Sequence, residues 1–260
     1  MKQFFGDIVK YYSYSVRSAK TTLKTEVEGS YLNWIWWILD PLFSMMIYAF
    51  IFGVVFNAKE EYFPIFIFIG LTMWSFFNGT SVRSVKTLKR NKAIVKNVYI
   101  PKFILLIENM MVNAFKMCIS FVIVIIMMLF NKVPISWYII CIPIILINLF
   151  LLTFAVGVHF LHFGVFIEDL SNIVAVVFKL MFYLSGVIFD VRKRFPEPYG
   201  DYLIKFNPVC LFLKDMRNIL LYQQSPDYKF HLIWAFVSMI LIIIGVRRIY
   251  KNENSYVKVM

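Results

Sequence analysis

Residues Ser81 to Lys102 read SVRSVKTLKRNKAIVKNVYIPK, with seven basic side chains (Arg83, Lys86, Lys89, Arg90, Lys92, Lys96 and Lys102) and no acid. On each side lies an apolar segment of the length a bilayer crossing needs, about 20 residues at 1.5 Å per residue. Moving a protonated Lys or Arg across hydrocarbon is costly, so a short basic loop stays on the cytoplasmic side. The stretch therefore sets the sidedness of the chain, and the other segments can be counted outward from it.

Composition supports a membrane reading throughout. Sixty per cent of the 260 residues are hydrophobic and 16% are charged, against about 25% charged in soluble domains, and the mean hydropathy is +0.72. No polar block is long enough to fold alone, so residues 1–260 are expected to form one membrane domain. In a soluble chain a net charge of +12 would suggest nucleic acid. Here inner loops facing anionic lipid account for it, and no nucleic-acid partner is expected. Cys118, Cys141 and Cys210 are scattered, without disulfide or metal spacing. The N-terminal stretch has no uninterrupted apolar core or small-residue cleavage site, so it does not read as a removable signal peptide.

Upstream of the first span, Ile8, Val9, Tyr12, Val16, Ala19, Leu23 and Val27 share an arc of about 100° on a helical wheel. Lys10, Arg17, Lys20 and Lys24 lie beside that arc. A helix over 8–28 resting in the headgroup plane is expected; the alternative is a helix packed on its own protein. Six spans follow, at about 34–56, 62–82, 109–130, 137–163, 170–189 and 230–246, in an all-α fold with both termini cytoplasmic. Sixteen of the 27 Lys and Arg residues then fall on the inner side. The first span carries Asp40-Pro41, and proline inside a helix removes a hydrogen bond and kinks it. Lys116 and Lys179 fall inside spans, where a charge must face protein or water. Pairing with Asp40 or Glu108 and contact with a substrate anion both remain open for them.

Residues 190–230 form the only long outer loop. Asn207-Pro208 supplies a capping side chain and then proline at the first helical position. Val209, Phe212, Leu213, Met216, Ile219 and Leu220 recur at helical spacing, while Lys214, Asp215 and Arg217 are expected to face elsewhere. The pattern predicts a short amphipathic helix over Asn207 to Tyr222, dipping into the outer leaflet or the protein's own mouth.

Catalytic signatures are missing. None of the ten glycines precedes a lysine, so the chain has no P-loop and an ATP-driven function needs a separate subunit. No serine sits in a G-x-S-x-G elbow. His159 and His162, three apart, offer two metal ligands at most, and interhelical hydrogen bonds by neutral imidazoles are the reading we adopt; no cofactor is expected in this chain. Aromatics make up 19% of the residues and gather in the first two spans. Part of this is the interfacial belt, but aromatic faces also suit sugar rings sliding past. Trp34, Trp36, Trp37, Tyr48, Phe52, Trp74, Phe77 and, further on, Tyr183 are candidate lining residues.

Four passages, in order, resemble one family. They are SYLNWIWWILDPL (Ser30 to Leu42), NKAIVKNVYIPK (Asn91 to Lys102), Glu168 to Leu170, and the outer set of Leu184 to Phe189, Asn207-Pro208 and Arg217. Together they are similar to the ABC-2 type permeases that export polysaccharides and polyol phosphates, such as O-antigen, capsule and teichoic acid. Asn33, Glu168 and Gly186 depart from that pattern, standing where glycine, arginine and proline are usual. The resemblance implies a non-enzymatic homodimer in a bacterial cytoplasmic membrane, joined to two copies of a cytoplasmic ATPase that binds ATP and Mg. Arg83, Lys86, Lys89, Arg90 and Lys92 are then expected to dock the ATPase, and Arg17, Lys20 and Lys24 to hold the headgroup of a polyprenyl diphosphate carrier bearing the polymer. Asn207, Pro208, Phe212, Met216 and Arg217 would form an outer gate. Two other functions are weighed: an ABC-2 exporter of small lipids or drugs, and a membrane transferase working at His159, His162, Glu168 and Asp169.

Overall fold

A computed structural model describes residues 2–29, 31–56 and 60–259. The chain is helical: α1 (Lys2–Val27), α2 (Trp36–Ala49), α3 (Phe63–Arg90), α4 (Lys92–Asn97), α5 (Phe103–Phe130), α6 (Ile142–Phe166), α7 (Leu170–Leu184), α8 (Val191–Arg194), α9 (Tyr199–Phe206), α10 (Pro208–Leu220), α11 (Tyr228–Lys251) and α12 (Glu253–Val259). A 3₁₀ turn leads into α2 and a π-helical turn, Phe50–Val55, continues it. Another 3₁₀ turn, Trp137–Cys141, precedes α6.

Among the described residues, five helical segments are long and apolar enough to cross a membrane: Asn33–Val55, Phe63–Arg90, Phe103–Phe130, Trp137–Phe166 and Tyr228–Lys251. The expected span at 170–189 is shorter. Its helix, α7, has 15 residues, about 22 Å of rise. The chain then turns through Ser185, Gly186, Val187 and Ile188, all buried. Gly186 has φ +66°, which proline, fixed near −65°, cannot adopt. The helix must therefore end there.

α3 is the central post. It packs against α2, α5, α6, α7 and α10, and Phe66, Phe68, Met73, Phe76 and Phe77 are almost wholly enclosed. Lipid tails are as apolar as these side chains, so helices associate through close van der Waals fit and polar links. Both are present here. Gly164 of α6 lies so near the Val85 backbone that a Cβ would overlap it. Asn109 and Asn113 of α5 donate to the Thr87 and Thr80 hydroxyls of α3 at 2.8 and 3.0 Å. α3 also continues through the first half of the basic stretch instead of ending near Val82.

α1 packs on its own protein, one of the two alternatives drawn for it. Phe4, Ser15, Ala19 and Val27 are buried where the helix packs on α5. Phe5, Val9 and Tyr12, a quarter-turn further round, stay exposed. The exposed basic residues Arg17, Lys20 and Lys24 come next. One wheel thus carries a protein-facing stripe, an exposed apolar stripe and a cationic stripe.

The outer segment departs most from expectation. α10 is not an amphipathic helix at the surface. Phe212 and Met216 are completely buried, and so are Asp215 and Arg217 (0% and 4% exposed), two of the polar residues expected to face elsewhere. The burial is possible because each charge is met. Arg217 donates to the backbone oxygens of Phe66, Gly186 and Val187 at 3.1, 2.7 and 2.5 Å, and its guanidinium lies 3.5 Å from the centre of the Phe66 ring. Those carbonyls include two left open where α7 stops, and buried backbone outside a helix requires such partners. Burial lowers the Arg217 guanidinium to about 10, which leaves it charged at neutral pH. Burial pushes the Asp215 carboxyl up, but the His231 hydrogen bond, the Lys214 charge and the Asp227 amide outweigh it and hold it below its ordinary value. Asn207 caps α10 by accepting from Val209 N and Cys210 N at 3.1 and 3.3 Å, and it donates to Ser185 Oγ at 2.9 Å. The five residues expected to form a gate therefore centre on a buried anchor.

Candidate functional site

The last turn of α1 holds Glu26. The C-terminal end of a helix carries partial negative charge, so a carboxylate there needs cations, and two spans provide them. Lys116 Nζ of α5 lies 2.6 Å from Glu26 Oε2, and Arg83 Nη2 of α3 donates to Glu26 Oε1 at 3.1 Å. Side-chain exposures of 33% for both cations and 23% for Glu26 place the group at the edge of the packed interior. Lys116 thus pairs with neither Asp40 nor Glu108; Glu108 accepts from Thr22 Oγ1 at 3.0 Å instead.

Glu26 and Lys116 face a cavity of about 580 Å³ walled by α2, α3 and α5. Trp36, Trp37, Asp40 and Tyr48 line it from α2, Thr72, Ser75 and Phe76 from α3, and Asn113 and Ser120 from α5. Arg83 stands behind Glu26, outside the lining. The Thr72 hydroxyl is buried and makes no hydrogen bond. Two indoles and a phenol, several hydroxyls and a cation held by a carboxylate thus meet in one recess. Such a set can stack on a ring, bond hydroxyls and accept an anion.

The remaining candidates divide. Trp34, Trp36 and Tyr183 are exposed (57%, 44% and 53%), while Trp37, Tyr48 and Phe52 are half-buried. Trp74 and Phe77 are used up within the subunit, packed on Phe178 and Phe182 with ring centres 5.4 to 6.0 Å apart. They form core and drop out of the lining, because α3 buries on nearly every side what a single apolar face would have left open. Lys86, Lys89, Arg90 and Lys92 are exposed at the C-terminal end of α3 and the start of α4. Arg83 does not belong with them, since it is committed to Glu26. Arg17 lies in a shallow recess with Ser13, Tyr14, Ser18 and Thr21.

His159 Nε2 bonds Leu241 O of α11 at 3.1 Å and His162 Nδ1 bonds Tyr256 Oη of α12 at 2.7 Å, the interhelical role expected for them. Glu168 and Asp169 are exposed on the following turn. The two histidines of the transferase reading are thus engaged with α11 and α12, and its two acids are exposed. Glu26 was the residue missed. The signal was available: an acid closing a helix that is otherwise basic along one flank, at the end where an acid is least stable.

Comparison with known proteins gives the family. A family model for the ABC-2 type transporter matches residues 18–221. The O-antigen export system permease protein RfbA of Klebsiella pneumoniae is 25% identical over 239 residues, covering 92% of this chain and 91% of that protein. The RfbA of Myxococcus xanthus is 22% identical over 243 residues, 93% of each chain. The polysialic acid transport protein KpsM of Escherichia coli is 22% identical over 194 residues, 68% of this chain and 69% of its own. Matched from the cationic flank of α1 through the buried anchor of α10, the chain belongs to the ABC-2 type transporter family.

Proposed function

We propose that this chain is the membrane-spanning permease subunit of an ATP-driven exporter that moves a polysaccharide or polyol-phosphate polymer, linked to a polyprenyl diphosphate, out across the bacterial cytoplasmic membrane. The observation that carries the reading is end-to-end similarity to O-antigen export permeases over 92% of the chain. A separate P-loop ATPase supplies the energy, since no glycine-lysine phosphate loop exists in the sequence. Lys86, Lys89, Arg90 and Lys92 are a fitting cationic face for it.

Two copies form the exporter. α7 exposes Ile173, Val176, Leu180 and Tyr183 with Lys179 among them, and a lysine in an apolar exposed face belongs against a partner or a polar path. With the short α7 and its buried turn counted as a crossing, the chain spans six times and both termini are cytoplasmic. Arg17, Lys20 and Lys24 meet the carrier headgroup at the inner surface, and the aromatics of α2 face the moving polymer.

In source cells lacking this chain, polymer should accumulate inside and vanish from the surface, and the purified chain should not hydrolyse ATP. Normal surface polymer without the chain would overturn the reading, as would small lipids accumulating in its place or ATP turnover by the chain alone.

A further inference from the structure

The cavity beside Glu26 holds one cation whose charge is borrowed. Lys116 is the sole Lys or Arg among the described residues of its lining, and its ammonium is held at 2.6 Å by a carboxylate that Arg83 also holds from behind. Because Glu26 has two cationic partners, it can release Lys116 and remain paired. The same cavity is lined by the hydroxyls of Ser44, Ser75 and Thr72, the last buried and making no hydrogen bond.

We propose that Lys116 is the seat for a phosphoryl anion carried on a lipid, and that Glu26 occupies this seat as a stand-in until the anion arrives. The inference rests on the lipid-linked reading above and adds a site to it, distinct from the Arg17, Lys20 and Lys24 flank. An incoming phosphate accepts from Lys116 Nζ and from the hydroxyls, while Glu26 shifts its charge to Arg83. The apolar stem of the ligand leaves past Trp36 and Trp37, along a helix whose outer face is open. Asp40 also lines the cavity and opposes an anion, but it is exposed, so solvent weakens its field.

The exchange makes an unusual set of signs. Removing the stand-in should strengthen binding; removing the group that draws it away should weaken binding without touching the cavity. Equilibrium binding of farnesyl diphosphate to the purified full chain in detergent reads this directly, with inorganic pyrophosphate and phosphatidylglycerol as parallel probes. Glu26→Gln should bind farnesyl diphosphate about fivefold more tightly, since one competing ion pair of surface strength is lost. Arg83→Gln should bind about threefold more weakly, because Glu26 then clings to Lys116 alone. Lys116→Gln should lose about tenfold or more and Lys116→Arg should restore it, and Asp40→Asn should tighten binding modestly. Stronger binding of farnesyl diphosphate than of pyrophosphate or phosphatidylglycerol supports a lipid diphosphate as the source.

Unchanged or weaker binding by Glu26→Gln, with a melting temperature near wild type, overturns the stand-in. So does a Lys116→Gln variant that binds normally. Weaker binding by Asp40→Asn would make this a site for hydroxyl or cationic groups instead. If the wild type binds none of the probes the anion seat is wrong, while the export reading, tested in cells by surface polymer, stands or falls separately.

Discussion

The first two spans, Asn33–Val55 and Phe63–Arg90, are both rich in aromatic residues, yet they have opposite surroundings. In the most apolar 18 residues of each, 6% are buried in the first and 78% in the second. The second has its partners within the chain; the first leaves Trp34, Phe43, Met46, Ile47 and Phe50 open. The same composition therefore serves two purposes. Aromatics in the post fix the fold, and those on the open span meet whatever lies beyond the subunit: lipid, a second copy or cargo.

The harshest way to break this contrast is to remove the anchor that fixes the outer end of the post. Arg217→Ala would strand three buried carbonyls and empty a buried site, at a cost of roughly 5 kcal/mol. Expression and thermal melting in detergent should both collapse, and a melting temperature near wild type would show that the anchor is dispensable. Next comes a matched pair. Phe77→Ala in the post should lose about 3–4 kcal/mol, whereas Phe43→Ala on the open span should stay within about 0.5 kcal/mol; melting curves of both decide, and equal losses would erase the distinction.

A smaller effect is expected at the inner end of the post, outside the packed region. Reversing Lys86, Lys89 and Arg90 together to Glu should weaken capture of the ATPase by roughly 2 kcal/mol while leaving melting unaltered. An unchanged pull-down would move docking elsewhere. Smallest is the functional face of the open span. Trp36→Ala with Trp37→Ala should slow polymer export about tenfold, as the loss of one or two stacking contacts would, with ATP hydrolysis nearly intact. Equal loss of both activities would show that these indoles hold the fold and not the cargo.

Much of the architecture was legible because its signals are local. Long apolar runs mark the five helices with the length to cross a membrane, and Asn207-Pro208 marks the start of a helix that does begin at Pro208. Asn33, named above as a departure from the resembled pattern, has φ +47°, a left-handed conformation that asparagine tolerates better than most residues. What the sequence could not show is which face of a uniformly apolar helix is covered. Trp74 and Trp36 look alike along the chain, and only the arrival of α7 separates them. Arg217 and Asp215 read as facing away from the apolar stripe because their partners, the carbonyls near Gly186 and the imidazole of His231, are distant in sequence. The cavity was half visible: its indoles and Lys116 stood out, but Glu26 became meaningful only when α1 was laid across α3 and α5.

The ties at the inner face have a consequence in time. Tyr250 Oη donates to Asp7 Oδ2 at 2.5 Å, Tyr99 Oη donates to Glu253 Oε2 at 3.2 Å, and Tyr256, wholly enclosed, meets His162. Lys102, at the end of the basic stretch, is 3% exposed beneath this layer and 3.8 Å from Glu253. Synthesis must therefore reach Tyr250 before Asp7 has its partner, and Glu253 before Tyr99 and Lys102 have theirs. A chain halted before Tyr250 lacks all of these ties, so its last two helices close contacts that its first ones leave open.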